Sequence, residues 1–434
     1  MEAHVMDGSR YFVRGRTFAG ADAALQDALA QVYGSSERPR CMCVPGGIEM
    51  YVAKHAEFVI KRMPGTGQRH HPICDSFEPE AALSGLGELI GEAIVELAPE
   101  QVELRTAFPL ARVSGRPVAH GEMTDDPASI SAPRKRMSLR AVLHFLYDRA
   151  GFNRWYPAMD GRRSQAVVCR FLTAAARGVI VKGGTLEERL FVPEQFRVAQ
   201  AEEIAARRRR RLAMLASPDA DVQFKMAILI GQLTGVEATA YGRRLMIKHL
   251  PDVPLYIDNK AWEKAERAYQ TILQAADADV EHKPRIVTAA LIYAKREHIY
   301  QVDALTLMLV TDQWLPLDGL YELALVEALQ RQGRVFIKPL KFDAKSAASF
   351  PNVLLLDAGA APVPLHVLSP FMDPKDRAIK EKAIKAAGAS AWSWETDKDV
   401  PELPARVGAQ RPGRTSVHCQ GSSTSQSAIA PAPG

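Results

Sequence analysis

The sequence predicts an α+β, multidomain protein, and three observations carry that expectation. A chain of 434 residues is too long for one ordinary core. Its apolar content of 47% with 24% charged residues is that of a globular protein. The hydrophobic period also switches repeatedly between strand-like and helix-like spacing. These switches divide the chain into a β-rich Cys/His module (1–80), a basic helical region (81–215), an α+β domain (216–315), a second α+β domain of order αβββαβ (316–400) and a disordered tail (401–434).

In the first module, Arg10 to Phe18 read as a strand pair and Ala21 to Val32 as a helix with Ala24, Leu25, Ala28 and Leu29 on one face. Three of the five cysteines then fall in Cys41-Met42-Cys43 and His70-His71-Pro72-Ile73-Cys74. Between them Met50 to Ala53 and Glu57 to Ile60 form β-type runs around Lys54-His55-Ala56, a hairpin that brings the two ends together. Thiolates and imidazoles delivered as two close pairs are the donor set of a structural zinc site. The expected ligands are Cys41, Cys43, Cys74 and His71, whose spacing to Cys74 is the commoner two-residue form, with His70 as the alternative. Four protein ligands leave no open position for water, so such zinc supports folding, by on the order of 10 kcal/mol, rather than catalysis. The competing reading is two small buried cysteines beside a basic loop. An odd, clustered set of five cysteines also argues against a disulfide framework. The loop Lys61 to Gly67 is basic and glycine-bearing but lacks the lysine of a P-loop, which excludes nucleotide hydrolysis by that device.

Further along, Ser84-Gly85-Leu86-Gly87 leads into an apolar helix around Leu89 to Leu97, Thr106 to Leu110 is extended, and Asp125 to Pro133 is a polar connector. From Ser138 a helix buries Leu139, Val142, Leu143 and Leu146 and stops at Gly151. A second, capped by Ser164, turns Val167, Val168, Phe171, Leu172 and Ala175 inward until Gly178. Val179 to Lys182, Gly183-Gly184 and Arg189 to Val192 then read as a β-hairpin, which makes the region winged-helix-like.

The net charge of +5 is localised: residues 133–215 carry eighteen basic against seven acidic groups. DNA is the simplest partner for that excess. The candidate contacts are Arg134, Lys135, Arg136, Arg162, Arg163, Gln165, Arg170, Thr173 and Arg177. Phe145, Tyr147, Phe152, Trp155 and Tyr156 could stack on single-stranded bases, but their expected role is packing against the Leu139 to Leu146 face. The arginines from Arg207 to Arg211 go right round a helix, so that segment reads as a solvated linker, with Glu203 four residues before Arg207.

Residues 216–315 show strands at Met226 to Ile230, Leu245 to Lys248, Ile286 to Tyr293 and Ala304 to Val310, with a helix from Ala261 to Ala275, and no legible chemistry. The last domain has a helix (Leu320 to Gln330), three strands (Val335 to Pro339, Val353 to Asp357, Leu365 to Leu368), a helix (Lys375 to Ala387) and a strand (Ala391 to Glu395). That order resembles the restriction-endonuclease-like, PD-(D/E)xK, fold. The resemblance implies a helix glutamate, an aspartate after proline and an E-x-K strand that hold magnesium. Glu322 matches the first, but Pro351-Asn352 replaces Pro-Asp and Leu365 to Ser369 lacks the acid and the lysine, so the domain is expected to be degenerate. A catalytic alternative uses Glu322, Asp357 and Lys338. Beyond Pro401 the Pro, Ser, Gly and Gln content predicts disorder, with Cys419 no ligand.

A wider resemblance rests on Arg38-Pro39-Arg40-Cys41-Met42-Cys43, Gly47-Ile48-Glu49-Met50-Tyr51-Val52, Ile60 to Gly67 and His71-Pro72-Ile73-Cys74, with Leu139 to His144, Phe152-Asn153-Arg154-Trp155 and Lys248-His249-Leu250-Pro251. Over residues 10–395 the chain is similar to an uncharacterised bacterial family, domain of unknown function 1173, found among plasmid and integrative-element genes. The resemblance implies a mobile-element setting and no activity. No apolar run is long enough to span a bilayer and the start lacks signal-peptide character, so a cytoplasmic protein is expected. Together these features predict a non-enzymatic DNA-binding accessory protein stabilised by zinc. The alternatives are a metal-dependent nuclease and a scaffold for the protein partners of a conjugation or partition complex.

Overall fold

The apolar stripe that begins at Ser138 becomes a helix buried on nearly every side. The computed structural model describes residues 9–54, 57–98, 100–113, 135–182, 184–215, 223–296, 298–388 and 391–407. Helix α2 (Leu139–Arg149) follows α1 (Ala24–Val32) in the chain. The Ser138 hydroxyl caps α2 by accepting from the Ala141 amide at 3.2 Å, and also donates to Asp343 at 2.8 Å. Leu139, Ala141 to Leu146 and Tyr147 are all buried. Helix α3 (Gln165–Ala175) lies beside it, capped by Ser164 and burying Val168, Leu172 and Ala175.

Among the described residues there are four sheets. The N-terminal sheet, in the order β2-β1-β3-β4-β5, comprises β1 (Arg10–Val13), β2 (Arg16–Ala19), β3 (Arg40–Cys41), β4 (Ile48–Lys54) and β5 (Phe58–Arg62). Helix α1 closes it by packing Leu25, Leu29 and Val32 against Val13 and Phe18. A second, small sheet pairs β6 (Ile94–Ala98) with β7 (Gln101–Leu104), and β7 in parallel with β10 (Val179–Val181), which meets β11 (Gly184–Thr185). Gly178 makes the parallel pair possible. It has φ +68°, and a Cβ there would stand 2.1 Å from the Glu100 carbonyl oxygen.

Two expectations fail here. Leu89 to Leu97 is not a helix: a short 3-10 turn at Gly85–Glu88 gives way to β6, where β-branched Ile94 and Val95 find a strand partner in β7. The expected winged-helix pairing of Val179 to Lys182 with Arg189 to Val192 does not form either: β10 turns back only onto β11. One helical turn, α4 (Leu186–Arg189), separates β10 from β12 (Leu190–Phe191), and β12 instead runs parallel to Ile228 and Leu229, where both its residues are buried.

The third sheet is a barrel. Strand β13 (Gln223–Thr239) pairs antiparallel through its first half with β16 (Arg285–Arg296), from Met226↔Tyr293 to Leu233↔Ile286. A register shift between Leu233 and Gly235 bends it, and its second half pairs with β14 (Gly242–Ile247). Strand β15 (Leu255–Ile257) pairs with β14 and runs parallel to β17 (Ile299–Val310), which returns to β16. The circuit β13-β14-β15-β17-β16-β13 is therefore closed, and α6 (Asn259–Ala268) and α7 (Gln270–Ala276) connect β15 to β16. This strand order, with a long bent first strand and a helical link before the fourth, is that of an OB-type barrel. Strands β8 (Ala111–Val113) and β18 (Pro316–Leu317) extend its ends. The outer residues Met226, Ile228, Val287, Ala289 and Leu291 share one core with α2 and α3, while Leu229, Leu245, Ile247, Leu255 and Ile292 fill the inside.

The fourth sheet has the order β22-β21-β20-β19-β9. Its elements are α8 (Leu323–Arg331), β19 (Phe336–Ile337), β20 (Val353–Leu355), β21 (Val363–Leu368), α9 (Pro374–Ala387) and β22 (Trp392–Glu395), in the αβββαβ order expected. The fifth strand, β9 (Arg154–Trp155), comes from the segment between α2 and α3. Helix α5 (Ala201–Leu212) is not a solvated linker. It buries Ile204 and Leu212, and Arg208 sinks against Asp252 and the His249 carbonyl. Nor is the start of the tail free: Leu403 is buried, Trp392 donates to the Glu402 carbonyl at 2.9 Å, and Val407 donates to that of Asp357 at 3.0 Å. The rest of the expected tail, Cys419 included, lies outside the described residues.

Truncating Leu143, which is fully buried in α2, to alanine should cost about 2–5 kcal/mol and lower the urea midpoint of unfolding. Val198→Ala, at a side chain 84% exposed, should change stability by less than about 0.5 kcal/mol in the same titration.

Candidate metal centre and basic surface

Strand β3 delivers Cys41 between β1 and β4, opposite Tyr11 and Ile48. The chain then leaves the strand and folds back through Gly46 and Gly47, both at positive φ. Gly47 has no room for a side chain, since a Cβ would lie 2.9 Å from the Met42 sulfur and 3.1 Å from the Arg40 Cβ. Cys43 therefore sits in a tight turn rather than on an extended strand. The second half begins after the 3-10 turn Gly67–Arg69, where His70 is extended and Cys74 closes a turn by donating its amide to the His71 carbonyl at 2.8 Å.

Cys41, Cys43, His70 and Cys74 converge, with one ligand atom from each lying within 4.8 Å of all the others. Cys41 Sγ is 3.7 Å from Cys74 Sγ, His70 Nδ1 is 3.3 Å from Cys43 Sγ, and the same nitrogen is 3.7 Å from Cys74 Sγ. A tetrahedron with Zn–S near 2.3 Å and Zn–N near 2.0 Å requires S···S of about 3.8 Å and S···N of about 3.5 Å, so the donor set and its spacing are compatible with zinc. The histidine that joins the cluster is His70, the alternative, and not the expected His71. In an extended segment neighbouring side chains point opposite ways, and the His71 ring turns back to accept from the Ile73 amide at 3.4 Å. The thiols also constrain one another. Hydrogen bonding with Cys41 and Cys74 holds the Cys43 thiol well below the usual thiol range, while the Cys41 thiol is pushed up to about 11, chiefly by its bond with Cys43. Three thiolates side by side need a cation to be stable together.

This centre lies at a seam. Cys74 and Phe77 pack against Ile337, Leu354 and Leu356 of the fourth sheet, and Arg154 donates to the Phe77 carbonyl at 2.6 Å.

The predicted DNA contacts separate into two groups. Arg163 is 8% exposed, donates to the carbonyls of Phe152, Gln313, Gly151 and Arg154, and lies over the rings of Phe152 and Trp155; burial lowers its pKa to about 10. Gln165 is also buried and donates to the Pro193 carbonyl at 2.7 Å. Both are structural. Arg162, Arg170 and Arg177 are exposed and Thr173 half-buried, and Arg177 meets Glu187 at 3.4 Å. Lys135 and Arg136 are exposed, Lys135 near Glu88 and Glu92, and Arg134 lies outside the described residues.

The catalytic alternative is also split. Glu322 and Lys338 form a fully buried ion pair at 2.7 Å. Glu322 further accepts from the Asp318 amide at 2.7 Å and from Asn352, whose own oxygen accepts from the Val367 amide at 2.9 Å. Asp357 does not join them: Arg334 forks onto it at 2.9–3.1 Å, and Arg406 approaches at 3.4 Å. Sequence reasoning missed Asn352 as the glutamate's partner, although Pro351-Asn352 marked the position.

The fold and site define a mixed α+β protein with a three-cysteine, one-histidine cluster able to hold a metal ion, and no helix among the described residues is long and apolar enough to cross a membrane. The chain belongs to the family described as "Protein of unknown function (DUF1173)", whose model matches residues 11–397. No curated protein and no solved structure matches it.

Metal analysis of the purified chain should find one equivalent bound, lost in Cys43→Ser and His70→Ala and kept in His71→Ala. Retention in His70→Ala with loss in His71→Ala would reverse the ligand assignment.

Proposed function

We propose that the protein is a non-catalytic DNA-binding accessory factor of a plasmid or integrative element, with structural zinc at Cys41, Cys43, His70 and Cys74. The observation that carries the DNA reading is the solvent face of α3. Ala166, Arg170 and half-buried Thr173 recur at spacings of four and three residues, Arg162 precedes the helix and Arg177 follows it in the turn beyond its C-cap, and the opposite face buries Val168, Leu172 and Ala175. Such a stripe offers guanidinium groups to successive phosphates. The Arg177–Glu187 pair is exposed at both ends and therefore weak enough to yield to phosphate.

The αβββαβ unit supports the non-catalytic part. It is similar in element order to restriction-endonuclease-like folds, but Glu322 spends its oxygens on Lys338, Asn352 and the Asp318 amide, and Asp357 is neutralised by Arg334. Two carboxylates committed to separate cations do not form the shared metal cradle that phosphodiester cleavage uses.

Duplex DNA should bind the full chain with an affinity that falls steeply with salt. The double variant Arg170→Ala, Arg177→Ala should reduce the log–log salt slope by about 1–2. Absence of duplex binding at low ionic strength would sink the DNA reading. Magnesium-dependent cleavage abolished by Asp357→Ala would replace it with a nuclease.

A further inference from the structure

We infer that the outer face of β14 and β15 on the OB-type barrel is a binding site for single-stranded nucleic acid, separate from the α3 surface. The two walls of this barrel differ. Strand β16 is buried on both faces from Ile286 to Tyr293, because α2 and α3 cover its outside. Strands β14 and β15 are buried on one face only. Leu245, Ile247, Leu255 and Ile257 point into the barrel, while Arg244, Met246, Lys248 and Tyr256 alternate with them and remain half-exposed or exposed.

The outward side chains combine two chemistries. Arg244 and Tyr256 are register partners on neighbouring strands, so a basic and an aromatic side chain share this face, and Met246 is 40% exposed in the next outward position. The β13–β14 turn carries Tyr241 at 94% exposure. A tyrosine so fully exposed at a hairpin tip does no packing for the fold. Among the described residues the outward Arg244 and Lys248 have no ion-pair partner, and Glu237, opposite Arg244 on β13, leaves the face with a basic excess.

Cations bind phosphate whether or not bases are paired, but aromatic faces take bases only when these are splayed from a duplex. Tyr241 and Tyr256 therefore select a single strand, with Arg244 and Lys248 on its backbone. The face spans two short strands and a turn, which fits the low end of OB-type sites, about four nucleotides. DNA and RNA share this chemistry, and the test distinguishes them.

Labelled twelve-residue oligothymidylate and oligouridylate would be titrated with the full chain at low salt and followed by fluorescence anisotropy. Binding of either supports the site, and the tighter of the two identifies the sugar. Tyr241→Ala and Tyr256→Ala should each weaken binding by about 5- to 100-fold, and Arg244→Ala should lower the salt slope by roughly 0.7. The Tyr241→Ala and Tyr256→Ala effects should persist in the Arg170→Ala, Arg177→Ala background, so this site and the duplex reading fail independently. Tyr241 is so exposed that its variant should fold normally; oligonucleotide binding indifferent to Tyr241→Ala and Tyr256→Ala, or no binding at all, would overturn the proposal.

Discussion

A helix that is apolar nearly all round cannot rest at a surface, and α2 imposes that constraint on the whole molecule. Its burial needs an apolar wall on each side. The outer faces of β13 and β16 supply one, α3 another, and the segments around Leu104, Phe108 and Phe342 complete the enclosure. Chain pieces separated by two hundred residues are drawn together here, as in the Phe342 amide donating to His144 at 2.9 Å. The wall of the barrel that α2 covers is thereby lost to any ligand, while the β14–β15 wall keeps one face open.

Local structure was legible where one residue type decides it. Ser138 and Ser164 announced their helices because a hydroxyl at the N-cap satisfies an otherwise unpaired amide, and Gly178 marked a stop that only glycine fits. The last domain's element order was legible because each element has its own period. Pairing between distant strands was not: nothing in Arg189 to Val192 indicates that Leu190 prefers β13 to β10, a choice made by the burial available once the barrel exists. The barrel itself was invisible for the same reason, since closure depends on β13 having two partners and sequence records no partners.

The candidate metal cluster was legible as a set but not to the last member. Type and spacing picked out three cysteines and a histidine pair, yet the choice of His70 over His71 follows from the backbone direction at one residue. The basic run failed more broadly. Arg163, Arg208 and Lys380 look like surface charge in the sequence but are buried, and each is paired with carbonyls or an acid. Burial lowers the Lys380 pKa to about 8. Such groups cost desolvation free energy, and their value lies in fixing which chain segments meet.

The seam beneath the metal centre sets an order of assembly. Cys41, Cys43, His70 and Cys74 leave the ribosome early, but Phe77 and Cys74 rest on Ile337, Leu354 and Leu356, and β9 must wait for β19. Synthesis runs at about 5–20 residues per second, so the interval between the ligands and their seat is roughly 15 to 60 s. During that interval the ligand loop has no floor. A metal captured then would hold the loop's shape before the surface it docks against has been made.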